Sequence, residues 1–574
     1  MKTKKEEMLI RRIKAARNEI PADLLVRNCQ VVNVFNGLIE SCSVAVFDGI
    51  VVGFGDREAG ETIDVAGQYL VPGMIDGHIH IESSMVIPSE FARATAPHGT
   101  SAVVADPHEI ANVLGKDGIL YLLETTKALP VDFFFMVPSC VPATHLETAG
   151  AKLGGSEMKD LMREKRILGL AEVMNYPGVV GGVPEVIEKL ELFESRVIDG
   201  HAPALSGRDL DAYLVCGIRS DHECTELYEA EEKLAKGMWI MIREGSQSKN
   251  LSALAPLVNR ITSRRCMLVS DDRHPDDLMA FGHLDALVNR AIDEGIDPLT
   301  AIQMVTLNPA RYFSLRNLGA IAPGYQADFF TCESLNGIQP NLVFKRGRLV
   351  AKEGKLGSPA DVCESKYNVS SMNINRVDEK KFAVPCEGQK VRVIQVFENQ
   401  IYTKEIIEET PIGNGLVTAD PERDLLKIAV LERHKFSGRI GLGYVRGFGL
   451  KKGAIASSVA HDSHNIITVG CDDQSMATAV NTLIDHGGGL VVSLDSEILA
   501  LLTLPVAGLL SDAPLEEVVL KVGGLNNAYH DLGGTLPNPF MALSFLALPV
   551  IPELKITDRG LVDVRRFEFV SLFV

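Results

Sequence analysis

The sequence predicts an α/β protein organised around a (β/α)8 barrel of TIM type, and three observations predict it. Between residues 71 and 318, eight short apolar runs alternate with helical stretches, the rhythm of βα units on a parallel sheet. Nearly every run ends in polar or ionisable residues, where a barrel of this kind carries its chemistry. Short strands with turns lie on both sides, near 23–54 and 319–352, and can pair as one small β-sandwich.

The elements follow in chain order. The opening MKTKKEEMLIRRIKAARNEI is charged and reads as an amphipathic helix, with no apolar core of signal-peptide length behind it. It and the first strands make 1–70 the first part of the sandwich. The barrel runs are GMIDGHIH, SAVVADPH, DFFFMVPS, ILGLAEVMN, VIDGHAP, LVCGIRSDHE, WIMIREGS and CMLVSDDRH, filling 71–318. Residues 319–362 return to the sandwich. After a low-periodicity link, KLGSPADVCESKYNVSS, the stretch 363–574 reads as a separate C-terminal α/β domain. Its apolar NPFMALSFLALPVIPELKITDRG is too broken by proline and charge to span a bilayer and reads as core.

Composition narrows the function. A chain of 574 residues, 46% apolar and with a mean hydropathy of +0.11, should pack into about two to four globular domains. A net charge of −18 argues against a nucleic-acid backbone or an anionic membrane as the main partner and leaves room for a small neutral substrate. No stretch of about 20 uninterrupted apolar residues occurs, so a cytoplasmic protein is expected. Ten cysteines with no CxxC pair read as reduced thiols, mostly in the core.

Chemistry is concentrated at the strand ends. In a strand alternate side chains share a face, so His78 and His80 of GMIDGHIHIESSM aim at one point, as a metal grip does. Further ends carry Glu172 on the fourth run, His201 on the fifth, His222 on the sixth and Asp271 on the eighth. Any one of these alone is commonly a surface or hydrogen-bonded residue; six at matched ends are not. Nitrogen and oxygen ligands without thiolate suit zinc, manganese or iron, and a bridging carboxylate suits two ions.

In this order the residues resemble the amidohydrolase superfamily, and GMIDGHIHIESSM with SDDRHPDDL resembles its adenine deaminase branch. The superfamily pattern is His-x-His on the first strand, a bridging residue on the fourth, His on the fifth and sixth, and Asp on the eighth. Glu172 stands where many members carry a modified lysine. The C-terminal ASSVAHDSHNIITVG resembles the branch's extra domain, so the likeness runs from about residue 20 to the end. It implies a binuclear divalent centre, manganese or iron before zinc, held by His78, His80, Glu172, His201, His222 and Asp271. It also implies a homo-oligomer, a dimer, that deaminates adenine to hypoxanthine in purine salvage.

Such a reaction needs a nucleophilic water, a proton for the ring nitrogen and one for the departing amine. Asp271 is the candidate proton carrier, with Asp272 directed to a supporting role. Glu82, placed beside the histidine pair if the strand continues, and Glu223, beside His222, are the candidate acids. Ser83 and Ser84 are candidate substrate contacts, or caps of a following helix. His108 reads as a loop or supporting residue, and AHDSHN (His461, Asp462, His464) as a hydrogen-bonded loop in preference to a metal site. Two rival functions are a cyclic-amide hydrolase on the same metal site and a silent binding protein. Glu82 in place of the arginine found in relatives with acidic substrates, and the missing lysine, count against the first; the intact ligand set counts against the second.

Overall fold

The computed structural model describes residues 3–357, 363–398, 400–413 and 415–574; the middle of the predicted link, 358–362, lies outside the described residues, as do the first two of the predicted N-terminal helix. Helix α1 (Lys4–Ala16) starts at Thr3, whose hydroxyl accepts from Glu6 N while the Glu6 carboxylate accepts from Thr3 N. This reciprocal cap satisfies two donors that a helix start leaves open.

Strands β1 (Ala22–Asn33), β2 (Leu38–Phe47), β3 (Ile50–Phe54), β4 (Ala59–Asp64) and β5 (Tyr69–Pro72) precede the barrel. With four strands that follow it, described below, they form one nine-stranded sheet. Hydrogen bonds from Val51 N to the Tyr325 carbonyl and from Ala327 N to the Gly49 carbonyl turn that sheet back on itself. Val44, Val46, Phe329 and Phe344, from segments nearly 300 residues apart in sequence, accordingly share one apolar cluster.

The barrel strands are β6 (Met74–His80), β7 (Thr100–Ala105), β8 (Asp132–Val137), β9 (Ile167–Val173), β10 (Val197–Gly200), β11 (Ser220–Asp221), β12 (Trp239–Arg243), β13 (Cys266–Val269) and β14 (Asp271–Asp272). All their pairings are parallel, with β6 to β10 forming one arc, β11 to β13 a second, and β14 closing onto β6. The last two are one run interrupted at Ser270, so the eighth predicted strand pairs with the seventh at one end and with the first at the other. Arg219 N donates to the Ile198 carbonyl where the arcs adjoin. This is an α/β fold of TIM type, with Ile75, Ala102, Val104, Met136, Met241 and Met267 packed in one inner cluster.

One predicted strand is corrected. LVCGIRSDHE was expected to be extended throughout, but helix Gly207–Val215 takes its first two residues and only Ser220–Asp221 pair. Leu214 is buried as part of that helix, which explains why its apolar character suggested a strand.

After the barrel, β15 (Phe329–Cys332), β16 (Leu342–Lys345), β17 (Arg348–Lys352) and β18 (Lys355–Leu356) complete the nine-stranded sheet, β15 pairing antiparallel with β5. Lys345 fastens sheet to barrel through Asp328 (2.7 Å), Asp132 and the Ser101 carbonyl (each 2.8 Å). The C-terminal part holds an eight-stranded sheet between Lys390 and Thr503. Along Leu426–Leu431, Ala429 and Leu431 face the helix Asp473–Asp485, whereas Ile428 and Val430 join the large cluster that also contains the barrel's outer shell. Period-two alternation thus buries both faces. Leu543, Leu546 and Ile556 are fully buried, so the apolar C-terminal stretch is core. Half the ten cysteines are buried and half partly so, all as free thiols. Among the described residues no helix is long and apolar enough to cross a membrane.

Candidate metal centre at the barrel mouth

The first strand places its histidines by a change of parity. Asp76 pairs with Val103 but Ile79 with Ala105, so β6 carries one extra residue, a β-bulge. Below it Ile75 and Gly77 face the interior, where a Cβ on Gly77 would stand 3.3 Å from the Met267 sulfur. Beyond it Ile79 joins the outer cluster, and His78 and His80 turn to the mouth. The Asp76 carboxylate accepts from His78 N at 3.2 Å and from the Ser270 hydroxyl at 2.5 Å, bracing the bulge against the last strand.

The six predicted ligands converge. Asp271 Oδ1 lies 3.5 Å from His78 Nε2 and 3.3 Å from His80 Nε2, while Glu172 Oε1 lies 3.5 Å from His80 Nε2. The other oxygen of Glu172 meets His201 Nδ1 at 2.6 Å and His222 Nε2 at 3.1 Å. Glu172 therefore stands between two imidazole groups, one oxygen toward each. Five of the six are buried, and His201 is the open edge at 24% side-chain exposure. Burial alone would push both carboxyls up, yet His78 and His80 hold Asp271, and His201 and His222 hold Glu172, well below the usual carboxylate range. Asp271 has φ +56°, a left-handed conformation that aspartate tolerates better than most residues.

These residues fit divalent ions. Donor atoms bound to one ion at about 2.1 Å stand about 3.0–3.4 Å apart, close to most of the separations here. His80 Nδ1 is 3.1 Å from the Asp106 carbonyl, a contact that assigns the proton to Nδ1 and leaves Nε2 a bare lone pair. Among the described residues the buried His78 Nε2, His108 Nδ1 and Asp106 Oδ1 have no hydrogen-bond partner, which cations would supply.

Comparison with known proteins matches residues 69–350 to the amidohydrolase family and residues 400–568 to the adenine deaminase C-terminal domain. Over 559 residues the chain is 50% identical to an adenine deaminase of Dehalococcoides mccartyi, covering 97% of this chain and 98% of that protein. The chain belongs to the adenine deaminase family of amidohydrolases. An adenine deaminase of Desulfatibacillum aliphaticivorans is 51% identical over 98% of this chain and 99% of its own. One of Methanothrix thermoacetophila is 49% identical with the same coverage. The domain that marks the adenine deaminase family is the one that reaches over the mouth. His461 Nδ1 lies 2.7 Å from Glu109 Oε1, and His464 Nε2 contacts the other oxygen. Ala460 N donates to His464 Nδ1, so that ring is neutral and gives Glu109 its Nε2 proton. Burial drives His464 down to about 4, whereas in His461 the Glu109 charge outweighs burial and lifts the ring to about 9. AHDSHN is the hydrogen-bonded loop expected of it, and its partner is Glu109 at the mouth.

Other expectations change too. The strand ends at His80, and Ile81–Ser84 form a 3-10 turn, so Glu82 does not share a strand face with the histidines. It is nonetheless buried beside them, its Oε1 accepting from Ile110 N at 3.1 Å and its Oε2 without a partner. Ser84 donates to the Ile81 carbonyl and Ser83 to Asp272, so neither caps a following helix and both hydroxyls are engaged within the protein. Both Glu223 oxygens are taken by Arg243, which also reaches Asp271 Oδ2 at 3.1 Å. Sequence reasoning passed over Arg243; its only signal was its place at the end of the seventh run. His108, expected in a supporting role, is buried with Nδ1 3.3 Å from Asp106 and 3.4 Å from Glu172.

Proposed function

We propose that this chain deaminates adenine to hypoxanthine and ammonia at a binuclear divalent metal centre, with manganese or iron ahead of zinc. One observation carries the reading. A chain about half identical along its whole length to proteins named adenine deaminase brings two groups of imidazoles around one shared carboxylate, Glu172, at a barrel mouth.

In this reading His78, His80, Glu172, His201, His222 and Asp271 would together hold the two ions. Bound there, the ions supply the Lewis acidity that makes water nucleophilic near neutral pH. The remaining tasks fall to the chain's own groups. Asp271 takes a proton at Oδ1, since Arg243 occupies Oδ2, and returns it to the leaving amine. Glu82 protonates the ring nitrogen, because burial pushes its carboxyl up to about 7 and leaves Oε2 without a competing donor. Glu223 orients Arg243, and Ser83 steadies Asp272, both at one remove from the substrate. The loop carrying His461 and His464 shields the mouth from water, which strengthens each of these interactions. The same reading places a homodimer in the cytoplasm, in purine salvage.

The test is ammonia release and the ultraviolet change from adenine to hypoxanthine, using protein stripped of metal and then resupplied with manganese, iron or zinc. Restored turnover supports the reading. Full metal binding with no turnover of adenine moves the substrate elsewhere, and failure to bind metal removes the ligand assignment.

A further inference from the structure

Most of the unpartnered polar atoms at the mouth belong to residues that face the proposed ions. Among the described residues three belong to carboxylates outside that set, Glu82 Oε2, Glu147 Oε2 and Asp462 Oδ2, and Glu147 turns its other oxygen to Thr144. A buried carboxylate oxygen without a donor is costly, so each calls for a ligand. Glu82 already has a task. Asp462 has none, and it does not come from the barrel.

Asp462 is 4% exposed and sits between the two histidines that grip Glu109. His461 and His464 on either side of it both contact Glu109 of the barrel, which places Asp462 beside the mouth on its C-terminal side. Its loop is tied down: His464 N donates to the Ala460 carbonyl at 2.7 Å, and Asn465 Nδ2 to the Thr148 carbonyl at 2.9 Å. No hydrogen bond joins its free oxygen to neighbouring Glu147, whose own Oε2 is also unpartnered. Asp462 is held still, buried and, among the described residues, short of a donor.

Adenine has donors on two edges. The amino group lies on the six-membered ring, where the reaction occurs, and a single ring N–H lies on the five-membered ring opposite. With the reacting carbon toward Glu172 and Asp271, the five-membered ring points away from the barrel floor. We propose that Asp462 is a specificity-determining residue that accepts this ring N–H, so that the pocket selects the free base over N9-substituted purines such as nucleosides. The inference rests on the deaminase reading above. A site built to receive an N–H rejects an analogue lacking it far more strongly than an apolar pocket rejects extra bulk.

The experiment compares kcat/KM for adenine and 9-methyladenine in the parent enzyme, Asp462→Asn and Asp462→Ala, with metal content measured in each. Methylation at N9 removes the ring N–H whichever tautomer binds. The parent should prefer adenine by about 10³-fold or more. Both variants should keep the parent's metal content, lose about 10- to 100-fold in kcat/KM for adenine, mainly through KM, and narrow the preference at least about tenfold. A parent that turns over both bases alike overturns the assignment without any variant. So do variants that lose metal, or that lower both activities by one factor. A metal-loaded parent inactive on adenine overturns the deaminase reading itself, and this inference with it.

Discussion

The barrel strand ends and the loop 460–465 bring histidines and a carboxylate to the same mouth by different means. On the barrel side each group stands in the last three residues of a buried strand or one or two residues beyond it, and its direction follows from strand parity and, in β6, from a single bulge. On the C-terminal side His461, Asp462 and His464 sit on a turn whose place is set by a contact with Glu109 some 350 residues away in sequence. The strand ends are positioned by local geometry, whereas the loop is positioned by docking. Damage to the first should therefore abolish the centre, and damage to the second should leave the centre and change what it does.

Four measurements sharpen or break that contrast. The largest effect is expected from Glu172→Gln, which keeps the volume and removes the charge between the imidazole groups; activity should fall about 10³-fold or more, with metal lost. A variant that retains both would break the barrel half of the comparison. Next comes Arg243→Met, which leaves Glu223 and Asp271 without their buried cation. It should cost about 3 kcal/mol in chemical denaturation, the penalty typical of one partner removed from a buried pair. For the loop, His461→Ala should lower kcat about 10- to 100-fold with metal content unchanged, as when a support of a bound centre is removed. Loss of metal there would show that the loop belongs to the centre and erase the distinction.

The smallest effect concerns stability and pH. The barrel's buried Lys233 meets Asp221 and Glu229, but in the C-terminal part Lys555, among the described residues, donates to the carbonyls of Ile401 and Phe545. Burial pushes Lys555 down to about 7, below its unfolded value of about 10.4. The folded state thus binds fewer protons than the unfolded state between these values, so this lysine's penalty is full below pH 7 and fades as pH rises toward 10. Stability from denaturation at several pH values should carry that upward slope, and Lys555→Met should flatten it.

What the sequence disclosed follows the same division. The meeting of the strand ends at one mouth could be read because a strand has only two sides, and the order of ionisable residues along eight runs left little freedom. Legibility failed where the backbone left the strand. Glu82 was aimed by extending β6 two residues too far into a 3-10 turn, and the sixth run was lengthened by helix residues whose buried face is as apolar as a strand. Arg243 looked ordinary because its meaning lies in two partners from other parts of the barrel, Glu223 and Asp271. The His461 loop showed suggestive spacing, but spacing carries no information about a partner in another part of the chain.

The bulge in β6 also divides responsibility within a strand of seven residues. Below it Ile75 and Gly77 answer to the packing of the barrel interior; above it His78 and His80 answer to the carboxylates of Asp271 and Glu172 at the mouth. The two halves are separate modules that share a backbone. Substitutions in the lower half should register as melting temperature and those in the upper half as metal affinity, so the centre can be retuned without renegotiating the core beneath it.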